Sequence, residues 1–164
     1  MPVKSSQTGS GTAPKIMLGW REWIDFIDLP LPPIKAKVDT GARTSCLHAF
    51  EVSSFDRDGS KWVRFSVHPD QRNTDIVAVC EAPASDRRQV SDSGGHRELR
   101  WVIETRVLIA GQKQSIELTL TDRDTMRFRM LLGRSAMKGR FSVDPASSYL
   151  HGKPVSGRPR TRTR

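Results

Sequence analysis

Polar and apolar residues alternate along most of this chain with a period of two. In Ile34-Lys35-Ala36-Lys37-Val38 the lysines point away from Ile34, Ala36 and Val38, as a strand with one covered face requires. Val63, Phe65 and Val67 alternate with Arg64 and Ser66 in the same way. In the longest run, Leu99, Trp101, Ile103, Thr105, Val107 and Ile109 form the apolar face, and Arg100, Glu104 and Arg106 point away from it. Asp58-Gly59 predicts a tight hairpin, and Ala110-Gly111-Gln112-Lys113 a second one that returns into Ile116, Leu118 and Leu120. Met126, Phe128, Met130 and Leu132 carry the period into Gly133-Arg134, a helical turn is expected over 135–138, and Phe141-Ser142-Val143 ends the pattern.

Other stretches are less regular. Ile16 to Ile24 is apolar and aromatic and reads as one strand, after which Pro30, Pro32 and Pro33 force an extended connection. Residues 44–55 suggest another strand and 75–80 a short one. Residues 83–98 are polar around Ser91 to Gly95, which suits either a surface loop or the tip of a hairpin. About seven or eight short strands with almost no helical period predict an all-β barrel or sandwich.

The length of 164 residues suits one domain. Residues 1–14 lack apolar periodicity and are expected to be a disordered leader, with the folded unit over 15–150 and a flexible tail over 151–164. No apolar run reaches the ~18–20 residues of a membrane span and the N-terminus has no signal-like apolar core, so a cytoplasmic protein without membrane contact is expected. Cys46 and Cys80 are expected to be reduced thiols. The formal charge of +9 is uneven, because Lys153, Arg158, Arg160, Arg162 and Arg164 crowd into the tail and leave the body only mildly basic. Such a balance favours an acidic partner without choosing among nucleic acid, membrane and polypeptide.

The candidate chemistry lies at Asp39-Thr40-Gly41, where the Ile34–Val38 strand ends. A carboxylate at a strand end, a hydroxyl to brace the loop and a glycine that permits close backbone approach suit a catalytic loop, although the tripeptide is also ordinary turn composition. Leu131-Leu132-Gly133-Arg134 supplies a second buried strand ending on glycine. With that pair the chain resembles the retroviral-type aspartic proteases, which combine an Asp-Thr-Gly-Ala loop with a strand of the form apolar-apolar-Gly-Arg. Gly19-Trp20-Arg21-Glu22-Trp23, residues 35–45, Leu47-His48-Ala49 and Met130 to Arg134 narrow the resemblance to the bacterial retropepsin-like family associated with RimK, also called ATP-dependent zinc proteases.

The resemblance implies a closed small β-barrel with at most a short C-terminal helix. It implies catalysis by Asp39, with Thr40, Gly41, Ala42, Leu132 and Gly133 supporting the loop. Because two carboxylates share one proton in this chemistry and the chain has one Asp-Thr-Gly, the resemblance requires a homodimer. The viral enzymes carry an acidic residue directly after Asp-Thr-Gly-Ala, where this chain has Arg43. Arg43 and Arg134 are therefore expected to bind acidic substrate groups, with bracing of the loop by Arg134 as the other reading. Association with a ligase that adds glutamates to a ribosomal protein makes an acidic, glutamate-rich polypeptide the expected substrate. The candidate flap is the segment around Ser93, Gly94 and Gly95, ahead of the Asp58-Gly59 hairpin. Arg87, Arg88, Arg97 and Arg100 are expected to add positive charge at the cleft mouth.

His48, His68, His96 and His151 are scattered, and Cys46 with His48 provides two metal ligands at most, so no metal or other cofactor is expected. No Gly-rich Lys-Ser/Thr loop for ATP is present. Two further readings remain open: a non-catalytic barrel that contacts a ribosomal protein or rRNA, and a metal-dependent peptidase using Cys46 and His48.

Overall fold

A strand with one apolar face must cover that face, and this chain does so by closing its sheet on itself. A computed structural model describes residues 14–91, 94–123 and 127–154. Over these residues the order is β1 (Ile16–Leu18), β2 (Arg21–Phe26), β3 (Ile34–Val38), β4 (Ser45–His48), β5 (Phe50–Arg57), β6 (Ser60–Val67), β7 (Ala78–Ser91), β8 (Arg97–Ile109), β9 (Gln112–Thr121), β10 (Met130–Leu132), α1 (Arg134–Met137) and β11 (Phe141–Val143). The expected leader, apart from Pro14, and the tail beyond Pro154 lie outside the described residues.

Strands β2, β3, β10, β4, β9 and β8 follow one another around a closed, six-stranded barrel, which β2–β8 pairing completes. The barrel is mixed, since β10 runs parallel to β3 and β4 runs parallel to β9. Closure leaves these six strands without an open edge. At the seam Ile24 faces Ile109 and Phe26 faces Val107, and just beyond it Arg106 Nη2 donates to Asp28 Oδ1 at 2.6 Å. That hydrogen bond holds the Asp28 carboxyl below its usual range. Inside the wall, Ile24, Phe26, Ile34, Leu47, Met130 and Leu132 are fully buried, a core of the kind that dominates folding stability.

Several strands differ in extent from the sequence expectation. The 16–24 stretch divides at Gly19-Trp20, because β1 leaves the barrel to pair in parallel with β11. A Cβ on Gly19 would lie 2.3 Å from the Ser147 carbonyl oxygen, so only glycine fits this division. Buried Glu22 fastens the same corner: its carboxylate accepts hydrogen bonds from the backbone N–H of Gly19 at 2.7 Å and Leu150 at 3.0 Å. The 44–55 stretch divides at Ala49, where the chain passes from the barrel into an outer sheet of β5, β6 and β7. The strand expected over 126–132 is regular only over Met130–Leu132; Met126 lies outside the described residues.

In the polar stretch over 83–98, the residues through Ser91 and from Arg97 belong to the arms of a long hairpin. β7 pairs with β6 through Pro83 and with β8 from Ala84 onward, so the proline, which lacks an N–H, sits where the partner changes. A bulge at Ser85 shifts the register between Ala84 and Asp86, and the Ser85 hydroxyl donates to the Val102 carbonyl at 3.1 Å. Opposite this bulge the ladder of β8 with β9 has no register shift, and both faces of β8 are covered: Trp101 packs against the core, while Arg100 on the other face reaches Cys46 and Thr119. Ile103, Thr105, Val107 and Ile109 are buried as expected, but in the distal arm Arg100 is 7% exposed and Leu99 is 53% exposed. Arg100 thus lies opposite the core face, as the alternation predicts, but is buried there rather than exposed.

Candidate active site

Strand β10 lies between β3 and β4, the two strands joined by the Asp39 loop. The loop must therefore pass across the end of β10, and its backbone is fastened there. The Asp39 N–H donates to the Leu132 carbonyl at 2.8 Å, while the Arg134 and Ser135 N–H groups donate to the carbonyls of Ala42 at 2.8 Å and Arg43 at 3.0 Å. The last two donors belong to the first turn of α1, where N–H groups have no partner within the helix. The loop supplies them, and the helix start and the loop fix each other.

Gly133 makes this crossing possible. A Cβ there would fall 2.6 Å from the Thr44 carbonyl carbon and 2.9 Å from the Ser45 nitrogen. Its own N–H donates to the buried Ser45 hydroxyl at 3.0 Å. Ala42, Leu132 and Gly133, expected as loop support, are thus gathered around one crossing.

The Asp39 side chain is partly exposed, and its Oδ1 accepts the Gly41 N–H at 3.0 Å. A Cβ on Gly41 would approach the same oxygen to 3.2 Å, so glycine keeps the carboxylate uncrowded. Arg134 Nη1 donates to the carbonyls of Thr40 at 3.1 Å and Gly41 at 3.2 Å. Its guanidinium therefore braces the loop from outside, in the manner of the bracing reading. Arg43 is exposed at the far end of the loop. The arrangement can present a fixed carboxylate to a reacting group.

The β7–β8 hairpin carries Gly94 and Gly95 near its tip, with Gly95 at φ +85°; Ser93 lies outside the described residues. The expected ring of arginines is only partly present. Arg88 is held by both Glu117 oxygens at 3.1 Å, and Arg100 Nε donates to Glu98 at 2.8 Å, so carboxylates of the barrel and hairpin already neutralise both. A different set of cations, Arg21, Lys35, Lys37, Arg72 and Arg127, lines a cleft to which β3, the strand that leads into the Asp39 loop, contributes two lysines. The alternation of β3 was the available signal for the two lysines. Arg72 and Arg127 lie in irregular segments without any period to mark their side.

Cys46 and His48 share β4 and both are buried. Burial pushes the Cys46 thiol up, against a smaller opposing effect of Arg100, whose Nη1 lies 3.6 Å from the sulfur. Zinc requires the thiolate and at least a third protein ligand. His48 Nε2 lies 3.6 Å from Asp122, and among the described residues no three His, Cys, Asp or Glu side chains gather as a metal site. These residues do not fit a zinc ion.

Residues 17–154 match the RimB-like family, described as retropepsin-like aspartic endopeptidase RimB. A protein of unknown function (DUF785) from Legionella pneumophila has the same fold, with a TM-score of 0.68 and 25% identity over 83% of this chain and 98% of that one. Proteins named "Probable alpha-L-glutamate ligase" from Shewanella pealeana and Parasynechococcus marenigrum are 45% and 46% identical over 85% and 84% of this chain. The match spans about 30% of the length of each, so the homologous segment is one part of a larger polypeptide there. The Asp39 loop, its crossing with Gly133 and the match over nearly the whole domain lead to one assignment: the chain belongs to the RimB-like family of retropepsin-like aspartic endopeptidases.

Proposed function

We propose that this protein is an aspartic endopeptidase, active as a homodimer in the cytoplasm, that cuts acidic, glutamate-rich polypeptide such as the tail added to a ribosomal protein. The observation that carries the reading is the Asp39 carboxylate, partly exposed on a loop whose backbone is fastened to Leu132, Arg134 and Ser135. Such fixing suits a group that must meet a reacting atom repeatedly in one geometry. One Asp-Thr-Gly per chain means that the second carboxylate comes from a second copy across a twofold axis.

The two carboxylates hold one proton between them, because neighbouring like charges do not both ionise. The ionised carboxylate takes a proton from water as the water oxygen attacks the peptide carbonyl carbon. The protonated carboxyl gives its proton to the carbonyl oxygen. As the tetrahedral intermediate collapses, the C–N bond breaks, the protonated carboxyl gives its proton to the departing amine, and the other carboxylate takes a proton from a hydroxyl of the intermediate, which restores the singly protonated pair. Arg43 beside the loop favours an acidic substrate, and the glutamate ligase named in the relatives is consistent with a glutamate-rich one.

The test is an assay of wild type and Asp39→Asn on a glutamate-extended peptide, with and without a chelator. The expected result is cleavage by wild type in both conditions and none by the variant. Cleavage by Asp39→Asn, or loss on chelation with rescue by zinc, would overturn the aspartic mechanism.

A further inference from the structure

The outer face of β3 and β10 carries a cleft of about 630 Å³, within the usual size of a ligand site. Lys35, Lys37 and Leu131 contribute to its lining, and Leu131 pairs directly with Lys37 in the sheet. Trp20, Phe128 and Tyr149 supply apolar walls. Among the described residues, five cations line this cleft and no carboxylate does. Like charges brought together in a walled space attract an anion strongly.

The cations differ in what already holds them. Arg21 lies over the rings of Trp20 at 4.5 Å and Tyr149 at 4.9 Å and donates to the Ser148 hydroxyl at 3.1 Å. Lys35 Nζ sits 5.4 Å from the Trp23 ring. Lys37, Arg72 and Arg127 are exposed. The segments bearing the two arginines are tied together: Gln71 Nε2 donates to the Arg127 carbonyl at 2.8 Å, and Arg129 Nη2 donates back to the Gln71 carbonyl at 3.4 Å. Lys35 and Lys37 share one face of β3, and the strand ends at Val38, one residue before Asp39.

We propose that this cleft is the specificity subsite, in which Lys37, Arg72 and Arg127 bind carboxylate side chains of a peptide whose backbone crosses Asp39. The inference rests on the peptidase reading above and locates its preference for acid. An acidic peptide suits the cleft better than RNA does, because each of the three rings that could stack on a base already makes a guanidinium or ring contact. Arg21 lies over Trp20 and Tyr149, and Trp20 and Phe128 meet edge to face at 5.9 Å. Carboxylates need only the cations at the rim.

The experiment measures binding of a fluorescein-labelled oligo-glutamate peptide to Asp39→Asn protein by anisotropy. Added Lys37→Gln or Arg127→Gln is expected to weaken binding about tenfold each. Lys113→Gln, at the start of β9, is expected to leave it unchanged, and oligo-glutamine should not compete. Both cleft side chains are exposed, so neither substitution threatens the fold. No binding, an equal loss from Lys113→Gln, or an RNA oligonucleotide that binds the cleft more tightly than the peptide overturns the inference. Cleavage separates the two readings. If the Lys37→Gln enzyme, with Asp39 intact, keeps the parent's preference for glutamate over glutamine peptides, the subsite is wrong and the peptidase stands. If binding depends on Lys37 and Arg127 in a protein that cleaves nothing, the subsite stands and the peptidase is wrong.

Discussion

Gly133 lies so close beneath Thr44 that an added Cβ would fall 2.6 Å from the Thr44 carbonyl carbon. The obstacle is backbone, which cannot rotate aside like a flexible side chain. Gly133→Ala should therefore separate β10 from the Asp39 loop and destabilise the fold by about 1–3 kcal/mol, the usual range for overpacking. Denaturant unfolding measures the loss. A variant as stable as wild type and equally active would show that the crossing is not tight.

Arg134 touches the loop through Thr40 and Gly41 rather than through a side chain. Arg134→Lys keeps the charge but not the planar fork, so it should fail to hold the loop. The expected effect is a fall in kcat of about a hundredfold, as for misplacement of a reacting group by about 1 Å, with little change in KM. Steady-state kinetics on a glutamate-extended peptide distinguish this from substrate contact, which would raise KM instead.

The two cysteines predict alkaline sensitivity. Burial pushes the Cys80 thiol from 9.0 up to about 12, and burial raises Cys46 as well. The folded state thus keeps thiol protons that the unfolded chain releases above its ordinary value. For Cys80 the associated stability is fully present below about pH 9 and is lost as pH rises toward about 12, at roughly 1.4 kcal/mol per pH unit, and Cys46 acts in the same direction. Cys80→Ala should show a shallower fall than wild type between neutral pH and about pH 10.5 in denaturant titrations. Parallel curves would contradict the assigned burial.

Much of the barrel was legible in the chain because its signals are local. The alternation of β3, the Asp58-Gly59 turn and the strand entering Gly133 each depend on neighbouring residues. The juxtaposition of Asp39 with Gly133 is not local, and the pairing of two motifs stood in for it. The burial of Arg100 was not legible because Cys46 of β4 and Thr119 of β9 cover the second face of β8 there, and nothing in the pattern of β8 itself announces those neighbours. The division at Ala49 escaped for a similar reason: β4 and β5 differ in partners, not in composition. Arg72 and Arg127 reach the cleft through irregular segments tied by Gln71, a contact that spans two distant parts of the chain.

The central claim is that one Asp39 from each of two copies makes one active site. Titrating wild type with Asp39→Asn at constant total protein, after subunit exchange, and measuring peptide cleavage tests it most directly. An obligate pair predicts activity that falls as the square of the wild-type fraction, about one quarter of full activity in an equal mixture. A linear fall, to about one half in that mixture, would mean that each chain works alone and would contradict the account.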